Sequence, residues 1–242
     1  MMIVLLSFLC ALGFVAVHIA SKYLTFLHVI PRSKLLSGMG GVSVAYIFIH
    51  ILPELNAYQY ELNSGDTSGL FMDNPVYFVA MIGLAVFYGL EKMGKVVRNT
   101  PSKAKKHPFP WLFWIHMFSF FTYNFLIGYL LIQEESNNVT ELTLYFFALS
   151  LHFLSNDQGL RQDHQRMYDH YGRWLLAAAV LIGWTMGFIF SMGENIVTLL
   201  FSFLAGGIIL NVLKEELPEE KESNFWAFAV GLIFYAALLS FI

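Results

Sequence analysis

Leu151-His152-Phe153-Leu154-Ser155-Asn156-Asp157-Gln158-Gly159 sets an imidazole, two amides and a carboxylate late in an apolar run. Hydrocarbon offers no water to solvate such groups, so at membrane depth they must face a partner or a wet cavity. Whether this run lies in a membrane is answered by the rest of the chain. Of 242 residues, 57% are hydrophobic and only 13% charged. A soluble domain has roughly 45–50% apolar and about 25% charged residues. Long apolar runs recur from end to end, which predicts an all-α, polytopic membrane protein with no soluble domain left over. Residues 1–242 are read as a single transmembrane helical domain.

Working outward, eight spans are predicted at 2–20, 36–57, 75–93, 109–132, 141–160, 174–191, 196–214 and 223–242. The first lacks the charged start and small-residue cleavage site of a signal peptide and is kept as a span. Basic residues then fall on alternate sides. Three follow span one, six span three, three span five and two span seven, which accounts for all fourteen Lys and Arg. By the positive-inside rule those segments are cytoplasmic and both termini lie outside. The opposite segments are acidic, with Glu61, Asp66, Glu134, Glu135 and Glu141. Asn138-Val139-Thr140 there is a candidate N-glycosylation site. The basic run at 103–107 suits anionic headgroups. A lone Cys10 excludes an internal disulfide and a thiolate metal cluster. No nucleotide-binding glycine pattern occurs, and no basic stripe suits nucleic acid. The expected partners are the lipid bilayer and, as a candidate, a second copy of the chain.

Two stretches repeat. Gly41 through His50-Ile51-Leu52-Pro53-Glu54 in span two matches Gly206 through Glu215-Glu216-Leu217-Pro218-Glu219 in span seven, at an offset of 165. The two spans run in opposite directions, as an inverted repeat of spans 1–3 and 6–8 requires. On another reading, Leu-Pro-Glu merely ends a helix. Glycines 83, 128, 183, 187, 206 and 207 are expected where helices approach closely.

These stretches resemble the ZIP family of divalent-metal transporters. Span two looks like that family's His-Leu-Leu-Pro-Glu helix, and span seven like its penultimate helix. The resemblance implies eight helices in a 3+2+3 arrangement, with a metal path between helices four and five. On helix four the family pattern His-Asn-x-x-Asp/Glu-Gly reads Tyr123-Asn124-Phe125-Leu126-Ile127-Gly128 here. On helix five, His-Glu-x-Pro-His-Glu-x-Gly reads His152-Phe153-Leu154-Ser155-Asn156-Asp157-Gln158-Gly159. Asn124, His152, Asn156 and Asp157 are therefore the candidate metal contacts, with strong ligands missing from helix four.

Helical spacing puts His152 and Asn156 on one face with Asp157 at its edge. Such a set suits loose binding of a zinc-, iron- or manganese-class ion, as a transported cargo and with no resident cofactor. Alternatively, His152, Tyr123 and Asn124 form an interhelical hydrogen-bond network. His50 and Glu54 are entrance candidates, and Glu215 and Glu219 their exit counterparts. Asp163-His164 and Asp169-His170, with three arginines interleaved, read as a charge-paired cytoplasmic loop or an ion exit. His18 and His116 read as satisfied core or interfacial histidines. Two functions stay open: a carrier moving a divalent cation toward the cytoplasm, or a protein of the same fold that has lost transport and serves as a regulatory or interaction subunit. A metallohydrolase using Ser155, His152 and Asp157 is set aside, because all three share one short stretch and no further zinc motif exists; no enzyme activity is expected.

Overall fold

The computed structural model describes residues 2–23, 34–64, 73–98, 110–133, 139–215 and 224–240. Among the described residues there is no strand. The helices are α1 (Met2–Ala20), α2 (Lys34–Tyr46), α3 (Leu52–Ser64), α4 (Pro75–Arg98), α5 (Pro110–Gln133), α6 (Val139–Met167), α7 (Arg173–Ile189), α8 (Glu194–Glu215) and α9 (Phe225–Ser240). Five helical runs among the described residues are long and apolar enough to cross a membrane: Met2–Tyr23, Ser37–Asn63, Phe113–Gln133, His164–Ile189 and Glu194–Lys214. Pro75–Leu90 and Phe225–Ser240 are shorter apolar helices. α6 carries the polar stretch Leu151–Gly159. Trp226, Val230, Ile233 and Phe234 of α9 point outward, as lipid-facing side chains do.

α2 and α3 form one run through a π-helical turn at Ile47–Ile51. Proline explains the turn. Pro53 has no N–H to give the carbonyl four residues earlier, and its ring crowds that carbonyl. The wider turn relieves the clash, and the Leu52 N–H bonds the Ile47 oxygen instead. Leu52-Pro53-Glu54 therefore does not end its helix, which continues to Ser64. A second departure from the sequence reading lies at 161–173, expected as a loop. α6 instead bends at His164 (φ −138°, ψ 42°) and a π-helical turn at Tyr168–Gly172 leads into α7.

Three helix pairs are held by reciprocal glycines. A methyl group on Gly41 of α2 would overlap the Phe228 oxygen of α9, and one on Gly231 would overlap the Gly38 oxygen. Gly206 of α8 meets Ala80 while Gly83 of α4 meets Phe203; Gly128 of α5 meets Val180 while Gly183 of α7 meets Phe125. In every case the carbonyl lies three residues before the partner's own glycine. Only a residue without Cβ lets two backbones approach so closely, the means by which helices associate where no hydrophobic drive separates them from lipid. The members of two pairs run in the same direction. The Asn224 N–H donates to Ser37 Oγ (3.1 Å) where α9 and α2 begin. Gln133 Nε2 donates to the Gly187 oxygen (2.6 Å) where α5 and α7 end. Clamped in this way, the bundle brings α1, α5 and α6 together around a buried polar centre.

Candidate functional site

α1 contributes His18, α5 Tyr123 and Asn124, and α6 His152, Asn156 and Asp157. All six side chains are buried. They form two hydrogen-bonded groups, and the four candidate metal contacts are divided between them.

The first group centres on His18. Its Nδ1 lies 2.9 Å from Asp157 Oδ2, and its Nε2 lies 2.9 Å from Asn124 Oδ1. Proton positions follow from the neighbours. Asn124 Nδ2 donates to the Phe120 carbonyl (2.8 Å), which can only accept. The amide oxygen thus faces His18, and Nε2 must carry a hydrogen. A further proton lies between Nδ1 and the carboxylate, so the pair is neutral overall whichever partner holds it. Phe153 packs against the imidazole at a tilt of 35°, with ring centroids 4.8 Å apart. Asp157 is 1% exposed, and its second oxygen, Oδ1, has no partner among the described residues. A buried carboxylate oxygen without a donor is costly.

The second group centres on His152. Tyr123 OH lies 2.7 Å and Asn156 Nδ2 3.0 Å from His152 Nε2. The amide nitrogen can only donate, so Nε2 accepts and the Tyr123 hydroxyl donates to it. Tyr123 thus joins His152 as in the network reading, whereas Asn124 turns to His18 instead.

Toward the basic end the polar path continues. Ser21 Oγ donates to the His18 carbonyl (2.9 Å) and therefore accepts from Tyr168 OH (2.9 Å). Gln158 Nε2 donates to the Ser21 carbonyl (2.9 Å). Arg161 Nε donates to Asp169 Oδ1 (2.8 Å), and Arg173 Nη1 reaches the Ile19 carbonyl (3.4 Å). The residues expected as a charged loop thus close this end of the site.

At the opposite end lies a cavity of about 490 Å³, lined in part by His50, Glu54, Tyr58, Glu61, Tyr145 and Glu194, with no Lys or Arg among the described residues of its wall. On α5 and α6 its lining residues nearest the buried site are Leu131 and Tyr145, seven residues from Asn124 and His152 respectively. At 1.5 Å per residue that separates cavity from site by roughly 10 Å. Ile127, Leu130, Ala148 and Leu149, all buried, occupy the intervening turns.

The entrance candidates His50 and Glu54 line this cavity. Glu215 closes α8 with its side chain outside the described residues, as are Glu219 and Asn138. His116 Nε2 meets the Leu90 carbonyl at 3.1 Å, remote in sequence from the centre. What the sequence reading missed is His18. Its one signal was a lone imidazole deep in a strongly apolar span, with nothing to name its partners. Among the described residues no three His, Cys, Asp or Glu side chains stand close enough together to hold a metal ion. The chain matches no protein-family model, and no curated protein is significantly similar to it.

Proposed function

We propose that the chain is a ZIP-like carrier that moves a divalent cation, of the zinc, iron or manganese class, toward the cytoplasm. One observation carries this reading. Asp157 Oδ1 is buried and makes no hydrogen bond among the described residues, on a carboxylate whose other oxygen meets an imidazole from α1. A cation entering there would satisfy that oxygen and displace the proton shared by His18 and Asp157. His18 supplies an imidazole that the helix-four and helix-five patterns lack, and Asn124 Oδ1, accepting from its Nε2–H, holds the ring in place. The apolar turns between cavity and site fit a carrier that opens to one side at a time.

The architecture proposed with this function is eight spans, arranged 3+2+3, with both termini outside. Its support is internal. The offset of 165 that relates Gly41 to Gly206 also relates Gly38 to Phe203, and an offset of 148 relates Ala80, Gly83 and Leu84 to Phe228, Gly231 and Leu232. The α2–α9 crossing is thus repeated, residue for residue, by the α8–α4 crossing. The acidic cavity at one end and the basic residues at the other support the orientation.

Uptake of Zn²⁺, Fe²⁺ and Mn²⁺ into proteoliposomes tests the function, with wild type compared against Asp157→Asn. The amide can still meet both His18 and its surroundings, so the variant folds but has lost the charge. Uptake by wild type and not by Asp157→Asn is the expected result; equal uptake by both overturns it. No uptake by a well-folded wild type favours the second reading, a ZIP-fold protein that has lost transport and acts as an interaction or regulatory subunit. That reading draws on the closure of His152 by Tyr123 and Asn156.

A further inference from the structure

We propose that the cavity at the acidic end is a binding site for an organic ammonium ion, distinct from the buried His18–Asp157 centre. Its charge is one-sided: Glu54, Glu61 and Glu194 line it and, among the described residues, no Lys or Arg does. The field inside a cleft lined by one sign of charge concentrates the opposite ion.

The kind of cation follows from how the charge is spread. A metal ion needs several oxygen or nitrogen donors converging within bonding distance. No three His, Cys, Asp or Glu side chains converge in this way among the described residues. The glutamates instead sit around a volume of about 490 Å³. That is the size of a small-molecule site, far larger than the roughly 30 Å³ occupied by a water. A diffuse, partly apolar cation suits separated carboxylates. The remaining wall fits such an ion, since the rings of Tyr58 and Tyr145 and the side chains of Leu131 and Leu142 line it. Aromatic and apolar surface around carboxylates is the combination that holds an alkylammonium, through cation–π attraction and burial of its carbon.

Two further groups offer acceptors for the N–H of a protonated amine or the hydroxyl carried by a quaternary one. Gln133 lines the cavity, and its Nε2 is committed to the Gly187 (2.6 Å) and Phe190 (3.3 Å) carbonyls, which leaves its amide oxygen. Thr198 also lines it and offers its hydroxyl.

Choline and spermidine are the probes, titrated calorimetrically into the full chain in detergent at fixed ionic strength. Saturable binding of at least one is expected, unchanged in Asp157→Asn, which separates this site from the buried one. Glu61→Gln and Glu194→Gln alter exposed side chains, so folding is retained, and each should weaken binding about two- to fivefold. Thr198→Val should weaken it as well. The proposal is overturned if neither probe saturates below about 10 mM, or if binding is indifferent to the glutamates. It is overturned too if Mn²⁺ binds through those glutamates while both organic cations do not, which makes the cavity a metal entrance.

Discussion

Removing His18 should cost far more than removing His18 and Asp157 together. In His18→Ala the Asp157 carboxylate keeps its buried position with neither oxygen bonded, since Oδ1 has no partner to begin with. Breaking a buried charge pair from one side costs about 3–5 kcal/mol. Asp157→Leu strands the imidazole in the same way, with a similar cost. The double variant His18→Leu/Asp157→Leu removes both polar groups and fills the space with carbon. What remains orphaned is Asn124 Oδ1, a cost of about 1–3 kcal/mol. Independent side chains would lose about 6–10 kcal/mol together, so the pair should show a coupling of at least about 3 kcal/mol.

Thermal denaturation of the detergent-purified protein, followed by loss of the monodisperse chromatographic peak, reads the ordering. A domain of this size shifts by roughly 2–4 °C per kcal/mol, so each single variant should fall by about 6–20 °C and the double by less. In detergent, separated helices find other partners and the scale shrinks, but the ranking survives. A double variant less stable than either single one would refute the reasoning, because His18 and Asp157 would then act independently.

α4 carries a test of the crossings with its own control. Gly83→Ala must push α8 away from the Phe203 carbonyl, whereas Gly89→Ala on the same helix meets nothing within 4 Å. The first should destabilise by about 1–3 kcal/mol and the second stabilise by about 0.5–1 kcal/mol; equal effects would remove close backbone approach as the cause. Orientation is read from impermeant maleimide on intact cells. In a Cys10→Ser background, Glu135→Cys should label and Lys105→Cys should label only after permeabilisation, and the reverse pattern would invert the topology.

The all-helical, membrane-like character could be read from the chain because long apolar helices announce themselves locally. Apolar length and loop charge are properties of short segments, and the expected span 2–20 meets α1 at Met2–Ala20. Helix ends were less legible where polar residues belong to the helix. At 161–173 the arginines and aspartates look like loop, yet Arg161 folds back on Asp169 across the bend at His164, and the segment is helical on either side of it. Pro53 carried a similar ambiguity. Proline either stops a helix or is absorbed by a widened turn, and the choice depends on the packing of Ile47 and Ile51, both buried.

The site was half legible for a different reason. His152 and Asn156 are four apart on α6, so spacing alone puts them on one face, and they do share a hydrogen bond. His18 meets Asn124 across 106 residues and Asp157 across 139. No periodicity connects residues at such separations; only the packing of α1 against α5 and α6 does. The same distance explains what His18 can contribute. A polar group shared by three helices responds to any movement of one against the others, since its two bonds cannot both survive if α1 shifts relative to α5 and α6. The His18 bridge therefore holds α1 in register with α5 and α6.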